Sequence, residues 1–321
     1  MNLWSIVVNT YCVYVATFID TYTTMKKAFS FSLYDSGNYY GGDNHKYTYN
    51  CVANILIAEK LFPDWKVYVY YDTTIPANII NFLNKSKHVV AFDMTTHWLS
   101  LIDKMMWRNL AIDDTTLDVV CVRDCDSWLS YREKLIIEEW LNSDKDLHII
   151  RDHCYHSKYM MGGMWGVKNH IITNMEETMK EYFKHKQNYR VHSGDDQDFL
   201  KDYFYNKIDN GKILVHLGNQ YNNRGEPIFN RGGYFPSEQN IKLIPTIISE
   251  QQFVDGKVPA GCYDWKTHDE AVSGLSFMEM SQLNAFHCQH CRQTMHVYIG
   301  AMFNKFPTRC LNIIEHAINS I

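Results

Sequence analysis

The 321-residue chain has no surplus of positive charge; its formal net charge is −5. It therefore lacks the basic footprint that grips a phosphodiester backbone, and no nucleic-acid partner is expected. The Gly-x-x-x-x-Gly-Lys-Ser/Thr run of a P-loop is missing, as is the Gly-x-Ser-x-Gly elbow of a serine hydrolase. No internal repeat and no low-complexity linker divides the chain. The nine cysteines are scattered and odd in number, which argues against a disulfide scaffold and for a reducing compartment. His287-Cys288-Gln289-His290-Cys291 has the spacing of half a zinc site around Cys288 and Cys291. A second half at standard spacing is lacking, with Cys262, His296 and Cys310 as the remaining candidates.

What is present is ordinary globular material, 46% hydrophobic and 21% charged, enough for one large domain or a domain with a lobe. The 8 Trp and 22 Tyr suit sugar stacking, although core packing explains them as well. Apolar periodicity predicts strands over Ala28–Leu33, Val67–Tyr71, Val89–Phe92, Val119–Arg123, Leu147–Arg151 and Ile213–His216. Helices are predicted over Tyr49–Leu61, Ile75–Asn84, Leu99–Ile112, Leu129–Leu141, Ile172–His185, from Ser193 to about Tyr205, Phe277–Phe286 and Leu311–Ile318. Strands alternating with helices predict an α/β fold, a mostly parallel sheet sandwiched by helices. The pattern weakens beyond Pro245, which predicts a small C-terminal lobe.

The densest chemistry lies in Val119-Val120-Cys121-Val122-Arg123-Asp124-Cys125-Asp126-Ser127. A buried strand ends in two carboxylates at i, i+2, on one face and roughly 7 Å apart at the backbone. Hard oxygen ligands at the carboxyl end of a strand suit Mg²⁺ or Mn²⁺ and, through it, a diphosphate. The plain alternative is that Asp126 or Ser127 caps the helix that follows. His216, at the end of its strand, is a candidate third ligand or a satisfied half-buried histidine. Arg108 is a candidate phosphate contact or a plain surface arginine, and Arg123 a candidate partner for one of the acids. Met160-Met161-Gly162-Gly163-Met164-Trp165-Gly166 either lets backbone approach a ligand beside Trp165 or forms a tight bend. Asp195-Asp196-Gln197-Asp198 opens a helix, where acids are favoured anyway. A carboxylate beside an amide there also holds adjacent sugar hydroxyls.

Trp107-Arg108, Arg123 to Ser127, Ile150-Arg151-Asp152-His153, Gly162 to Gly166 and Asp196-Gln197-Asp198-Phe199-Leu200 follow one another in this order. The set resembles the GT-A-fold nucleotide-sugar glycosyltransferases, in particular predicted ones of bacteria and large DNA viruses with an Arg-Asp-x-Asp-Ser signature. The likeness runs from roughly Met25 to Phe235. It implies a Rossmann-like, GT-A-like catalytic domain over residues 25–240; the sequence pattern adds an N-terminal extension over 1–24 and a C-terminal helical lobe over 241–321, neither of which shares the likeness. It implies Mn²⁺ or Mg²⁺ on Asp124, Asp126 and His216, and a donor site with Arg108, Arg123, Asp124, Gly163 and Trp165. The strands before Asp72 would cradle base and ribose. Asp196 and Gln197 would contact the donor sugar, with Asp152 or Asp196 as base if the reaction inverts.

The activity implied is metal-dependent transfer of a hexosyl or pentosyl group from a nucleoside diphosphate sugar, UDP-linked in this reading. The acceptor is a hydroxyl of a glycan or protein. A nucleotidyltransferase with the same Asp pair, and an inactive glycan- or partner-binding module, are the alternatives. Leu3 to Ile19 carries no charge, but it is short for a span, contains Asn9, Thr10 and Thr17, and lacks the basic start of a signal peptide. A cytoplasmic location is expected, host cytoplasm if the protein is viral, with membrane attachment through residues 3–19 as the alternative.

Overall fold

The computed structural model describes residues 25–35, 45–151, 156, 158–168, 171–184, 194–218, 238–243, 263–264, 286–288, 293–295 and 308–320. The segment 3–19, Asp152 and the helix expected over 277–285 lie outside them, as do the side chains of the half zinc site.

Phe29-Ser30-Phe31-Ser32-Leu33 shows how the fold is built. It lies in β1 (Lys27–Leu33), where successive side chains point to opposite faces. The phenylalanines enter one core and the serines face the other side. The same two-sided burial recurs in β2 (Trp65–Tyr71), β4 (Val119–Arg123), β5 (Leu147–Arg151) and β7 (Ile213–Leu217). With β3 (Val89–Asp93), β6 (Met164–Lys168) and β8 (Ile241–Leu243) they form an eight-stranded sheet of order β3-β2-β1-β4-β6-β5-β7-β8. All pairings are parallel except those of β6, which runs antiparallel between β4 and β5. The mostly parallel sheet expected from the sequence is the architecture observed.

One face is covered by α1 (His45–Leu61), α2 (Ala77–Lys85) and α3 (Tyr131–Leu141), around Phe29, Val67, Val119 and Trp140. The helix α6 (Thr308–Asn319) joins them, seating Ile314 and Ile318 in the same core. The other face carries α4 (Met175–Lys184), α5 (Asp195–Tyr203) and two 3₁₀ segments, Trp98–Leu101 and Lys104–Asp113, around Val122, Trp107 and Trp165. Tyr263–Asp264, Phe286–Cys288 and Gln293–Met295 form a separate three-stranded sheet. Both β8 and α6 fall in the 241–321 region and yet belong to the main sheet and its first core. Among the described residues, no helix is long and apolar enough to cross a membrane.

Three differences from the sequence reading have clear causes. Leu99–Ile112 is not one α-helix, because Asp103 turns extended and its carboxylate accepts from the Met105 amide, starting a second, 3₁₀ segment. The helix after the Asp pair is capped by Ser130, which accepts from the Glu133 amide at 3.1 Å, rather than by Asp126 or Ser127. The glycine-rich stretch is neither bend nor loop beyond Gly163, for Met164–Lys168 is the buried strand β6.

Candidate active site

The strand order reverses between β1 and β4, since each starts a run of strands in the opposite direction. Crevices at such switch points, outside the carboxyl ends of the strands, are where open α/β sheets bind ligands. A cavity of about 280 Å³ lies there. Ser32 and Tyr34 from the end of β1, and Asp124, Cys125 and Asp126 from the end of β4, line it. Arg108, Gly162, Asp196 and Gln197 complete its polar wall.

Arg108 is held by the serines of β1. Ser30 Oγ donates to the Arg108 carbonyl at 2.7 Å, while Ser32 Oγ accepts from the Arg108 amide at 3.0 Å. Both bonds act on backbone, so the guanidinium is left for the cavity. It pairs with Asp124 Oδ1 and, at 3.0 Å, with Asp196 Oδ2. Lys104, four residues earlier in the chain, instead reaches Asp72 at the end of β2, 2.5 Å away.

The loop carrying the Asp pair is clamped from α1. Asn54 donates through Nδ2 to the Cys125 carbonyl at 2.9 Å and accepts at Oδ1 from the Leu129 amide at 2.8 Å. Asn50 accepts from the Trp128 indole at 2.5 Å. Opposite the pair, glycine is obligatory for close approach. A Cβ on Gly163 would collide with the Asp124 carboxylate and amide, and one on Gly162 with Asp196 and Arg108. Gly194 begins α5 at φ 97°, a left-handed conformation that glycine adopts without strain. Its carbonyl accepts from the Gln197 and Asp198 amides at 3.0 Å each, which turns Asp196 and Gln197 to the cavity.

The electrostatics follow from burial. Burial raises the Asp196 carboxyl above the usual range, with Arg108 opposing and Asp124 reinforcing the rise. For Arg108, burial favours loss of the proton, but Asp124 and Asp196 outweigh it and push the guanidinium up. Asp103, whose carboxyl is buried behind Arg108, rises to about 6 through burial and then the charge of Asp196. The Tyr34 hydroxyl is raised by burial and by Asp103.

The residues fit a hard divalent cation. Asp124 and Asp126 supply oxygen ligands at one cavity wall, and a guanidinium already stands as a cation against Asp124. Among the described residues, no group of three or more His, Cys, Asp or Glu converges as a metal cage. A cation there would have to complete its shell from substrate phosphates and water.

Of the residues expected at the site, the structure brings together Arg108, Asp124, Asp126, Asp196 and Gln197, with Gly163 pressed against Asp124. Asp152 lies outside the described residues. Three others point elsewhere. His216 is in register with Ile150, on the α3 side of the sheet. Its ring nitrogens bond His148 at 2.8 Å and Glu139 at 2.9 Å, so it does not line the cavity. Arg123 faces the same side, where it pairs with Glu133 and donates to the Val122 and Trp165 carbonyls, both at 2.7 Å. Trp165 is wholly buried against Phe204 and is no stacking platform. Ser30, Ser32, Asn50 and Asn54 were missed as positioning residues. The Phe-Ser-Phe-Ser alternation was the one available signal.

No family model matches the chain, and no curated protein matches it. Among solved structures it is similar to galactosyltransferase LgtC in complex with donor and acceptor sugar analogs, at 14% identity and TM-score 0.39, over 60% of this chain and 76% of that one. It is also similar to a glycosyltransferase involved in glycosylation of the major capsid of PBCV-1, at 12% identity and TM-score 0.36, over 60% and 81% of the two chains. A third is 4-diphosphocytidyl-2C-methyl-D-erythritol synthase from Anaerococcus prevotii DSM 20548, at 11% identity and TM-score 0.35, over 73% and 94%.

Proposed function

We propose that the chain is a metal-dependent glycosyltransferase acting on a nucleoside diphosphate sugar, UDP-linked, with a glycan or protein hydroxyl as acceptor. The observation that carries this reading is the cavity at the strand-order reversal, where Asp124, Asp126 and the Arg108–Asp196 pair meet. Asp124 and Asp126 would hold Mn²⁺ or Mg²⁺. When bound, the cation offsets the charge of the departing diphosphate. Arg108 supplies a second, permanent positive charge for the same purpose. Gly162 and Gly163 let the backbone come close to Arg108, Asp196 and Asp124, which packs these charged groups together. Asp196 and Gln197 orient the donor sugar through its hydroxyls, with Asp196 held in place by its pair with Arg108.

The test is a panel of nucleotide sugars scored for Mn²⁺-dependent release of the nucleoside diphosphate without acceptor. Turnover with one donor, lost in Asp126→Ala, is expected. A single feature favours nucleotidyl transfer instead: Arg108 links a third carboxylate, Asp196, to the pair. Transfer from a nucleoside triphosphate, with no release from any sugar donor, would establish that reading. Arg108 being the one cation among the described residues lining the cavity weighs against it, because a triphosphate calls for more.

A further inference from the structure

We propose that the Arg108 guanidinium stands in for the divalent cation at Asp124, so that metal and diphosphate enter the site together and each enters poorly alone. The inference rests on the glycosyltransferase reading, which supplies both ligands. Its basis is the unequal setting of the two Arg108 ion pairs. The Asp196 side chain is 5% exposed and the Asp124 side chain 37%. A pair in reach of water is worth little net, whereas breaking the buried one leaves an uncompensated charge. Arg108 therefore keeps Asp196 and gives up Asp124 more readily.

An arriving cation without diphosphate finds Asp124 already neutralised. An arriving diphosphate without cation meets a wall of three carboxylates, Asp124, Asp126 and Asp196, whose one guanidinium is already engaged by two of them. When both come, the cation takes Asp124, and the arm of Arg108 thereby freed takes a phosphate oxygen. The exchange leaves no charge unpaired: one guanidinium–carboxylate contact is replaced by one metal–carboxylate and one guanidinium–phosphate contact. At Asp196 the pair is packed more tightly, since even a Cβ on Gly162 would collide with both the Asp196 carboxylate and the Arg108 guanidinium.

Mn²⁺ binding to the full chain is measured by loss of the free-ion electron paramagnetic resonance signal, without nucleotide. UDP affinity is measured by calorimetry with and without Mn²⁺. In the wild type, Mn²⁺ should raise UDP affinity at least about tenfold, within the usual range of coupling. Arg108→Gln should bind Mn²⁺ alone at least about tenfold more tightly than the wild type and lose most of the coupling. Arg108→Lys, which reaches one carboxylate rather than two, should fall between and serves if the glutamine variant does not fold. A wild type that binds Mn²⁺ alone as tightly as these variants overturns the proposal and leaves the glycosyltransferase reading intact. Absence of Mn²⁺ binding in every protein, with UDP affinity indifferent to the ion, overturns both.

Discussion

At the scale of single residues, the site is shaped by groups that do no chemistry. Gly163 is one: any side chain there meets the Asp124 carboxylate and amide. Gly163→Ala should lower kcat/KM for donor hydrolysis about 100-fold, the usual cost of misplacing a reactive group by an ångström. Asp103 is another. Its Oδ2 is buried without a partner and its carboxyl is raised to about 6. The folded protein thus holds this proton more tightly than the unfolded chain. The stabilisation it brings is complete below the ordinary value of 3.8 and lost as pH rises through about 6. Asp103→Asn cannot ionise and keeps an oxygen for the Met105 amide. It should therefore be more stable than the wild type at pH 8, by about 1 to 3 kcal/mol, and not at pH 3.5. Equal denaturation midpoints at both pH values would refute this.

At the scale of elements, the wall facing the Asp pair depends on Arg151, the last residue of β5. Its guanidinium donates to the Lys158 carbonyl at 3.1 Å and the Tyr159 carbonyl at 2.5 Å, just before the glycines, and forms a two-pronged pair with Glu238 at 2.8 and 2.5 Å. The pair is buried on both sides. Removing one partner strands the other charge, so Arg151→Met should cost about 3–5 kcal/mol in urea unfolding. The double variant Arg151→Met with Glu238→Met should recover most of that, because two apolar side chains of similar volume replace the pair. Elements also show why part of the fold escaped the sequence. Met164-Trp165-Gly166-Val167 lacks the β-branched apolar run that marks β4, and Gly166 with Gly162 and Gly163 before it signals a turn. Gly166 is there because Trp140 and Cys121 leave no room for a Cβ.

At the scale of the whole molecule, the sheet needs cover on both faces, and the first face draws it from the far end of the chain. Ile314 and Ile318 of α6 share a core with Phe29 and Val67 of the first strands. Ile314→Ala should therefore destabilise the entire domain by about 2–5 kcal/mol, the cost of a core cavity. A thermal midpoint unchanged from the wild type would mean that this helix does not complete the core.

Local pattern was enough for most of the parallel strands, because a short, β-branched, apolar run is written in adjacent residues. Val119–Arg123 and Leu147–Arg151 came out with their observed bounds, and with β4 came the placing of Asp124 at a strand end. Residues near one another in sequence, Asp124 with Asp126 and Asp196 with Gln197, could also be recognised as sets. What sequence could not decide was the facing of side chains across the sheet. His216 and Arg123 sit one residue away, in register, from positions that face the other core. A shift of one residue moves a side chain to the opposite face, and only strand pairing fixes it. The joining of Arg108 to Asp196, 88 positions on, was likewise a product of packing. It depends on Ser30 and Ser32 fixing a 3₁₀ segment, and on two glycines letting α5 close against it.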